Sequence, residues 1–204
     1  KKELIKTMPD VYRYSVDRLT EIIDRAISKK IPMVAIFPYT NQKLKNKHGS
    51  EALNENNLVC RSISLIKKKY KDKIGIMCDV ALDPYTSHGH DGILEKGNIL
   101  NDETNSILVK QSILQAQMGC DVIAPSDMMD GRVGQIRKAL DKNKFYNVQI
   151  LSYAVKYASS FYGPFRNAVG TKGILRGDKK TYQMDFRNKN EALREVSIDI
   201  KEGA

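Results

Sequence analysis

The sequence lacks tryptophan and has only three cysteines, Cys60, Cys78 and Cys120, none of them in a CxxC pair. It also lacks any apolar run near the roughly 18 residues that a membrane-spanning helix requires. The first ten residues have no apolar core of the kind found in a secretory signal. These absences argue against a membrane or secreted protein, and single cysteines within apolar patterns predict buried free thiols in a reducing compartment.

The chain carries a net charge of +10, with 34 basic and 24 acidic residues among 204. Its lysines concentrate at Lys43–Lys47 and Lys67–Lys73. No aromatic stacking platform interleaves with either cluster, so a solvated lysine face is favoured over a nucleic-acid groove. A basic RNA-binding module remains an alternative, and it would require both clusters to form one stripe.

Helical and strand-like patterns alternate along residues 1–204, which predicts a single α/β domain with parallel strands covered by helices. No GxGxxG or GxxxxGK motif follows a strand, so nucleotide binding loses support. A doubly wound sheet and a (β/α)8 barrel both remain open. The predicted helices are Val11–Lys30, Glu55–Lys69, Asp102–Met118, Gly131–Lys142 and Glu191–Glu202, and the predicted strands are Pro32–Tyr39, Lys73–Leu82, Asp121–Asp127 and Val148–Lys156.

Lys156 ends an apolar run that otherwise has the pattern of a buried strand. A lysine desolvated in such a place becomes a usable amine nucleophile that forms Schiff bases with carbonyl substrates. The structural alternative is a lysine that extends to solvent or pairs with a carboxylate.

A second polar cluster follows the strand Lys73–Leu82, where Asp79, Asp83 and Asp91 occur with His88 and His90. Carboxylates at a strand end suit a hard divalent cation such as Mg²⁺, while the histidines admit zinc as the second choice. The structural alternative is an ordinary polar loop.

Three segments, DVALDPYTSHGHDGIL, APSDMMDGRVGQIRKAL and SYAVKYASSFYGPFR, closely resemble the δ-aminolevulinate dehydratases, or porphobilinogen synthases. The resemblance implies a (β/α)8 TIM barrel that condenses two molecules of 5-aminolevulinate into porphobilinogen through two Schiff-base lysines. It further implies a homo-octamer, a location in a plastid-type organelle or the cytoplasm, and neither a nucleic-acid nor a membrane partner.

The resemblance assigns roles to residues of this sequence. Lys156 matches the first Schiff-base lysine, and Asp79 and Ser126 match a polar pair in the substrate pocket. Three more residues match the lid that holds a substrate carboxylate: Arg166, Lys179 and Gln183. Lys179 stands where many relatives have arginine, so it keeps the charge but loses the bidentate guanidinium.

The metal loop differs from that of the zinc branch, because Ala81, Asp83 and Asp91 stand where that branch has three cysteines. The resemblance therefore favours Mg²⁺ over zinc. Glu195 matches an allosteric Mg²⁺ ligand at a subunit boundary, with an exposed helix face as the alternative. His88 and His90 are expected to structure the loop.

The resemblance also implies that this sequence is a central piece of the barrel with about four of eight strands. Relatives continue beyond Ala204 to the second Schiff-base lysine, and their first barrel strand lies before Lys1. Residues 1–204 alone are therefore expected to be inactive. A truncated paralogue that acts as an assembly partner is a further alternative.

Overall fold

The computed structural model describes residues 1–171 and 173–204. The strands are β1 (Lys2–Leu4), β2 (Tyr12–Tyr14), β3 (Met33–Ile36), β4 (Gly75–Val80), β5 (Ile93–Glu95), β6 (Asn98–Leu100), β7 (Val122–Pro125) and β8 (Gln149–Ile150). The α-helices are α1 (Leu19–Ser28), α2 (Leu58–Tyr70), α3 (Asn101–Met118), α4 (Arg132–Lys142), α5 (Gly163–Val169) and α6 (Lys189–Glu202). Within these ranges, no helix is long and apolar enough to cross a bilayer.

The central sheet has four parallel strands in the order β3-β4-β7-β8. This order follows the sequence, and α1, α2, α3 and α4 pack as successive neighbours along it. A doubly wound sheet would reverse its strand order at a switch point. The strictly sequential order is that of a barrel wall, so it favours the barrel of the two architectures.

The core lies between the sheet and the helices because β4 alternates its side chains between two faces. Ile76, Cys78 and Val80 are fully buried on one face. The helices contribute Ile63, Ile66, Leu108, Ile136 and Leu140 to the same cluster. The intervening residues Met77 and Asp79 therefore lie on the opposite face, which is the interior side of a barrel wall.

Helix boundaries agree closely with the sequence patterns for α2, α3, α4 and α6. The side chain of Asn57 caps α2 by accepting a hydrogen bond from the backbone N–H of Cys60 at 2.8 Å. Gly119 ends α3 in the left-handed region with φ 104°, where a side chain would be strained.

The predicted helix Val11–Lys30 is wrong over its first residues. Tyr12–Tyr14 instead forms β2 and pairs antiparallel with β1, and α1 begins only at Leu19 after one 3₁₀ turn. Two tyrosines have high strand propensity, and the partner strand supplies the backbone hydrogen bonds that a first helical turn leaves unmade.

The expected buried strands at Pro32–Tyr39 and Val148–Lys156 are also corrected. Each pairs on one side only among the described residues, and Met33, Phe37 and Tyr39 are more than a third exposed. The second strand ends at Ile150, although the N–H groups of Leu151 and Tyr153 still donate to the carbonyls of Ile123 and Pro125. The sequence patterns did not predict α5 or the antiparallel pair β5 and β6.

Candidate active site

Lys156, Ser126 and Asp79 meet at the carboxyl ends of β4, β7 and β8. Asp79 is the penultimate residue of β4, and Ser126 directly follows β7. The Ser126 hydroxyl donates a hydrogen bond to Asp79 Oδ1 at 2.6 Å, and Lys156 Nζ donates to the Ser126 carbonyl. The parallel register thus brings together three residues that the sequence separates by up to 77 positions.

Asp79 has an unusual protonation equilibrium for a carboxyl group. Burial first, and then the charge of Asp83, raise its pKa to about 7, although the hydrogen bond from Ser126 opposes the shift. Both protonation states are therefore populated near neutral pH, which suits a group that accepts and returns a proton.

Lys179 is the centre of a buried ion cluster. Its Nζ lies 2.8 Å from Asp91 Oδ2 and 3.5 Å from Asp83 Oδ2, and Lys156 Nζ lies 3.8 Å from Asp91 Oδ1. Burial alone would raise the pKa of Asp91, but the two ammonium groups lower it to about 2. Asp83 and Asp91 likewise raise the pKa of Lys179 against the effect of burial. Two carboxylates therefore share one lysine, and Lys156 is a second cation near Asp91.

These contacts do not fit a Mg²⁺ ion between Asp83 and Asp91. Lys179 already lies between the two carboxylates. A divalent cation at the same place would be repelled by the ammonium groups of Lys179 and Lys156 in a low-dielectric interior. Among residues 1–171 and 173–204, no group of three His, Cys, Asp or Glu side chains is arranged to hold a metal.

Glu195 lies elsewhere, on α6, and its charged neighbours differ from those of Lys179. It is half-buried, and burial followed by the charges of Asp130 and Asp199 raises its pKa. The charges of Arg132 and Arg194 act in the opposite direction. Carboxylate oxygens are the ligands that Mg²⁺ takes, so this residue fits Mg²⁺ better than Asp83 and Asp91, which Lys179 already contacts.

His90 and Tyr182 connect the metal loop to the lid segment. His90 Nε2 lies 2.7 Å from the Arg176 carbonyl, and His90 Nδ1 lies 3.0 Å from the Tyr182 hydroxyl. Because a carbonyl only accepts, Nε2 carries the proton and Nδ1 accepts from Tyr182. Both histidines are buried, in agreement with the loop-structuring role expected for them, and burial lowers the pKa of His88. Sequence reasoning missed Tyr182, although it adjoins Gln183.

Gln183 and Arg166 are each linked to Lys179. Gln183 is buried and its backbone N–H donates to the Lys179 carbonyl at 2.8 Å. Arg166 is half-buried on α5, and its charge acts on Lys179. The segment after Lys179 is also tied to that of Lys156, since the N–H of Met184 donates to the Lys156 carbonyl at 3.0 Å.

Sequence reasoning missed a buried network behind the site. Arg132 Nη1 donates to the Met129 carbonyl at 3.0 Å, and Nη2 donates to the Ser152 hydroxyl at 3.2 Å. Its guanidinium also faces Asp127 at 3.4 Å and Asp199 at 3.8 Å. Arg132 thus joins the loop after β7 to the segment that leads to Lys156.

Several lysines of the two clusters are paired with carboxylates or buried. Lys67 pairs with Asp121 at 2.7 Å, Lys69 lies 3.4 Å from Asp24, and Lys45 is buried. These contacts disfavour the alternative of an RNA-binding module.

Comparisons with known proteins agree with this geometry. The family model described as delta-aminolevulinic acid dehydratase matches residues 1–204. The chain is 57% identical over 204 residues to the protein of that name from Bradyrhizobium diazoefficiens, covering 100% of this chain and 58% of the relative. It is 52% identical over 202 residues to the chloroplastic delta-aminolevulinic acid dehydratase 1 of Arabidopsis thaliana, covering 98% of this chain and 46% of the relative.

A solved structure is also similar over the whole chain. It is the crystal structure of delta-aminolevulinic acid dehydratase (porphobilinogen synthase) from Toxoplasma gondii in complex with the reaction product porphobilinogen. The TM-score is 0.96 at 43% identity, covering 100% of this chain and 58% of that one. The match confirms the predicted barrel fold over the four strands, and the chain spans about half the length of the relatives it matches.

Proposed function

Because the chain belongs to the delta-aminolevulinic acid dehydratase family, we propose that the protein condenses two molecules of 5-aminolevulinate into porphobilinogen for tetrapyrrole synthesis. The observation that carries this proposal is the position of Lys156. Its amine meets the Ser126 carbonyl, Asp91 and the Asp79–Ser126 pair at one end of the parallel sheet. Barrel enzymes keep their chemistry at this end.

Lys156 forms a Schiff base with one substrate molecule. The neutral amine attacks the ketone carbon, and the carbinolamine then loses water to give the imine. Asp79 is the group in contact with Ser126 whose pKa of about 7 suits it to move these protons. Arg166, Lys179 and Gln183 provide the cationic and amide donors for a substrate carboxylate, and the charge of Arg166 acting on the buried Lys179 supports this assignment.

Borohydride reduction in the presence of 5-aminolevulinate tests this role. We expect the reduced adduct on the peptide that contains Lys156, and we expect Lys156→Met to abolish porphobilinogen formation. Lys110→Met, an exposed change on α3, is the matched control and should keep full activity. An adduct found wholly on other lysines, with normal turnover in Lys156→Met, contradicts the assignment. A folded wild-type protein that makes no porphobilinogen supports the assembly-partner alternative instead.

We propose Mg²⁺ rather than zinc as the metal, with Glu195 as its ligand on this chain. The three cysteines are all buried, so none presents a soft thiolate at the substrate cluster. When bound, Mg²⁺ neutralises the carboxylates around Glu195. Added Mg²⁺ should raise the melting temperature of the wild type but not that of Glu195→Gln, with Glu191→Gln on the exposed part of α6 as the control. Activity that phenanthroline abolishes and zinc alone restores contradicts this choice of metal.

Self-association and a plastid-type or cytoplasmic location complete the proposal. Leu193 and Ile200, two exposed apolar residues of α6, support an oligomeric protein. Light scattering of the purified protein gives its subunit number, and fluorescence of a tagged gene product gives its location.

A further inference from the structure

Lys45 is the buried lysine that the proposed mechanism does not use. Only 8% of its surface is exposed, whereas Lys43 and Lys47 of the same loop are exposed. Its Nζ is buried and has no hydrogen-bond partner among the residues that the structure describes. A buried ammonium group without an acceptor is costly, so residues of this type normally pair or bind a ligand.

The loop that carries Lys45 is fastened to the loop of the ion cluster. The N–H of Asn46 donates to the Tyr85 carbonyl at 3.3 Å, and the N–H of Ser87 donates to the Asn46 carbonyl at 3.0 Å. His88 Nε2 also lies 3.2 Å from the Lys47 carbonyl. The backbone on both sides of Lys45 is therefore fixed against the segment that follows Asp83.

The position of Lys45 differs from that of Lys156 and Lys179, the other two lysines of the site. Lys156 and Lys179 each have an oxygen partner, but Lys45 has no carboxylate within ion-pair distance in the described part of the chain. Burial lowers the pKa of Lys45, and the charge of Asp83 acts against this shift, which places Asp83 as the acidic group that faces it.

The side chains of the whole cluster together carry a positive net charge, which favours an anionic ligand. Four cationic side chains face three carboxyl groups: Lys45, Lys156, Lys179 and Arg166 against Asp79, Asp83 and Asp91. Asp79 is partly protonated near neutral pH, so the excess is positive. A negatively charged ligand is the partner that this balance favours.

We propose that Lys45 is a further substrate-binding residue, whose Nζ donates to a carboxylate oxygen of bound 5-aminolevulinate. The inference rests on the proposed function, since it takes its ligand from there. Of the groups in 5-aminolevulinate, the carboxylate is the one that carries negative charge, and a charge-assisted bond to it satisfies the isolated ammonium.

Levulinate, a keto acid without the reactive amine, and its uncharged methyl ester are the probes. Titration calorimetry compares their affinities for the full gene product that contains residues 1–204, as wild type, Lys45→Met, Lys45→Arg and Lys43→Met. We expect Lys45→Met to weaken levulinate binding about 10-fold to 100-fold and to leave the ester nearly unchanged. Lys45→Arg should recover part of the loss, and Lys43→Met should behave as wild type.

Thermal melting of the ligand-free proteins separates binding from structure. A buried ammonium kept for a ligand destabilises the free protein, so Lys45→Met should melt at the same temperature as the wild type or higher. Levulinate affinity within about twofold of the wild type in Lys45→Met overturns the inference. So does an equal loss for levulinate and ester combined with a lower melting temperature. A wild type that binds levulinate through Lys45 but makes no porphobilinogen refutes the proposed function alone.

Discussion

Lys179 offers the most direct test of the ion cluster. Lys179→Met keeps the length and apolar volume of the side chain but leaves Asp83 and Asp91 without their shared cation. The Lys179 side chain is 7% exposed and that of Asp91 is 1% exposed, so water replaces little of the lost interaction. Breaking a buried pair in this way typically costs about 3–5 kcal/mol. We expect about 3 kcal/mol at neutral pH, because Lys156 remains 3.8 Å from Asp91.

The pH dependence gives a second measure of the same interaction. The pKa of Asp91 is lowered from 3.8 to about 2, which corresponds to roughly 2 kcal/mol of stability. Because the folded-state pKa is depressed, this contribution is present above the unfolded pKa of 3.8 and is lost as pH falls toward 2. In Lys179→Met the pKa of Asp91 rises, so protonation relieves the unpaired charge. The difference in stability between variant and wild type should therefore narrow as pH falls from about 7 to about 5.

Urea unfolding followed by circular dichroism measures both effects. Lys180→Met is the matched control, because the neighbouring Lys180 side chain is 77% exposed and pairs only loosely with Asp178 at 3.9 Å. The double variant Lys179→Met/Asp91→Asn should regain much of the lost stability, since it removes a buried charge together with its partner. The reasoning fails if Lys179→Met costs no more than Lys180→Met, or if the double variant is the sum of its two single changes.

Three further changes test other parts of the site. Asp79→Asn should stabilise the protein more at about pH 8 than at about pH 5, because the raised pKa of Asp79 makes its ionised form unfavourable; equal effects at both pH values in urea unfolding oppose this. Arg132→Met should lower the free energy of unfolding by about 3 kcal/mol or more, since Asp127 and Asp199 then lie buried without their cation; a change below about 1 kcal/mol by the same measurement contradicts it. Residues 1–204 expressed alone should associate or precipitate and make no porphobilinogen, because both edge strands of the central sheet lack a second partner among residues 1–171 and 173–204. Gel filtration of a monomeric, active protein would refute this.

Periodicity predicted the central elements well because the pattern of buried side chains repeats within each helix or strand. The strand at Lys73–Leu82 was predicted from a continuous apolar run, and Ile76, Cys78 and Val80 within it are fully buried. Periodicity failed as a predictor where a segment distant in the sequence determines the local conformation. Tyr12–Tyr14 has the spacing of a helix, but a partner strand ten residues earlier holds it extended. The edge exposure of β3 likewise depends on which strands pair with it, which a local pattern does not contain.

The sequence predicted the site residues one at a time, from the chemistry of each residue type and from a family resemblance. It did not predict which of them contact one another. Because side chains alternate along β4, Asp79 lies on the face opposite the core. Its position beside Ser126 then follows from the register of β4 and β7. The link between Lys179 and Asp91 spans 88 positions, and nothing in either local sequence indicates it.

Lys45 shows the same limit more sharply. Within Lys43–Lys47 it resembles its neighbours in type and spacing, and the whole cluster has the pattern of a solvated face. Its burial arises because the backbone of the next residue, Asn46, forms hydrogen bonds with Tyr85 and Ser87 of another loop. A lysine's function in this fold therefore depends on which acceptor its amine can reach after the loops are fixed. The number of lysines in the chain sets how many such amines exist. The pairing of the strands sets which of them lie near the candidate site.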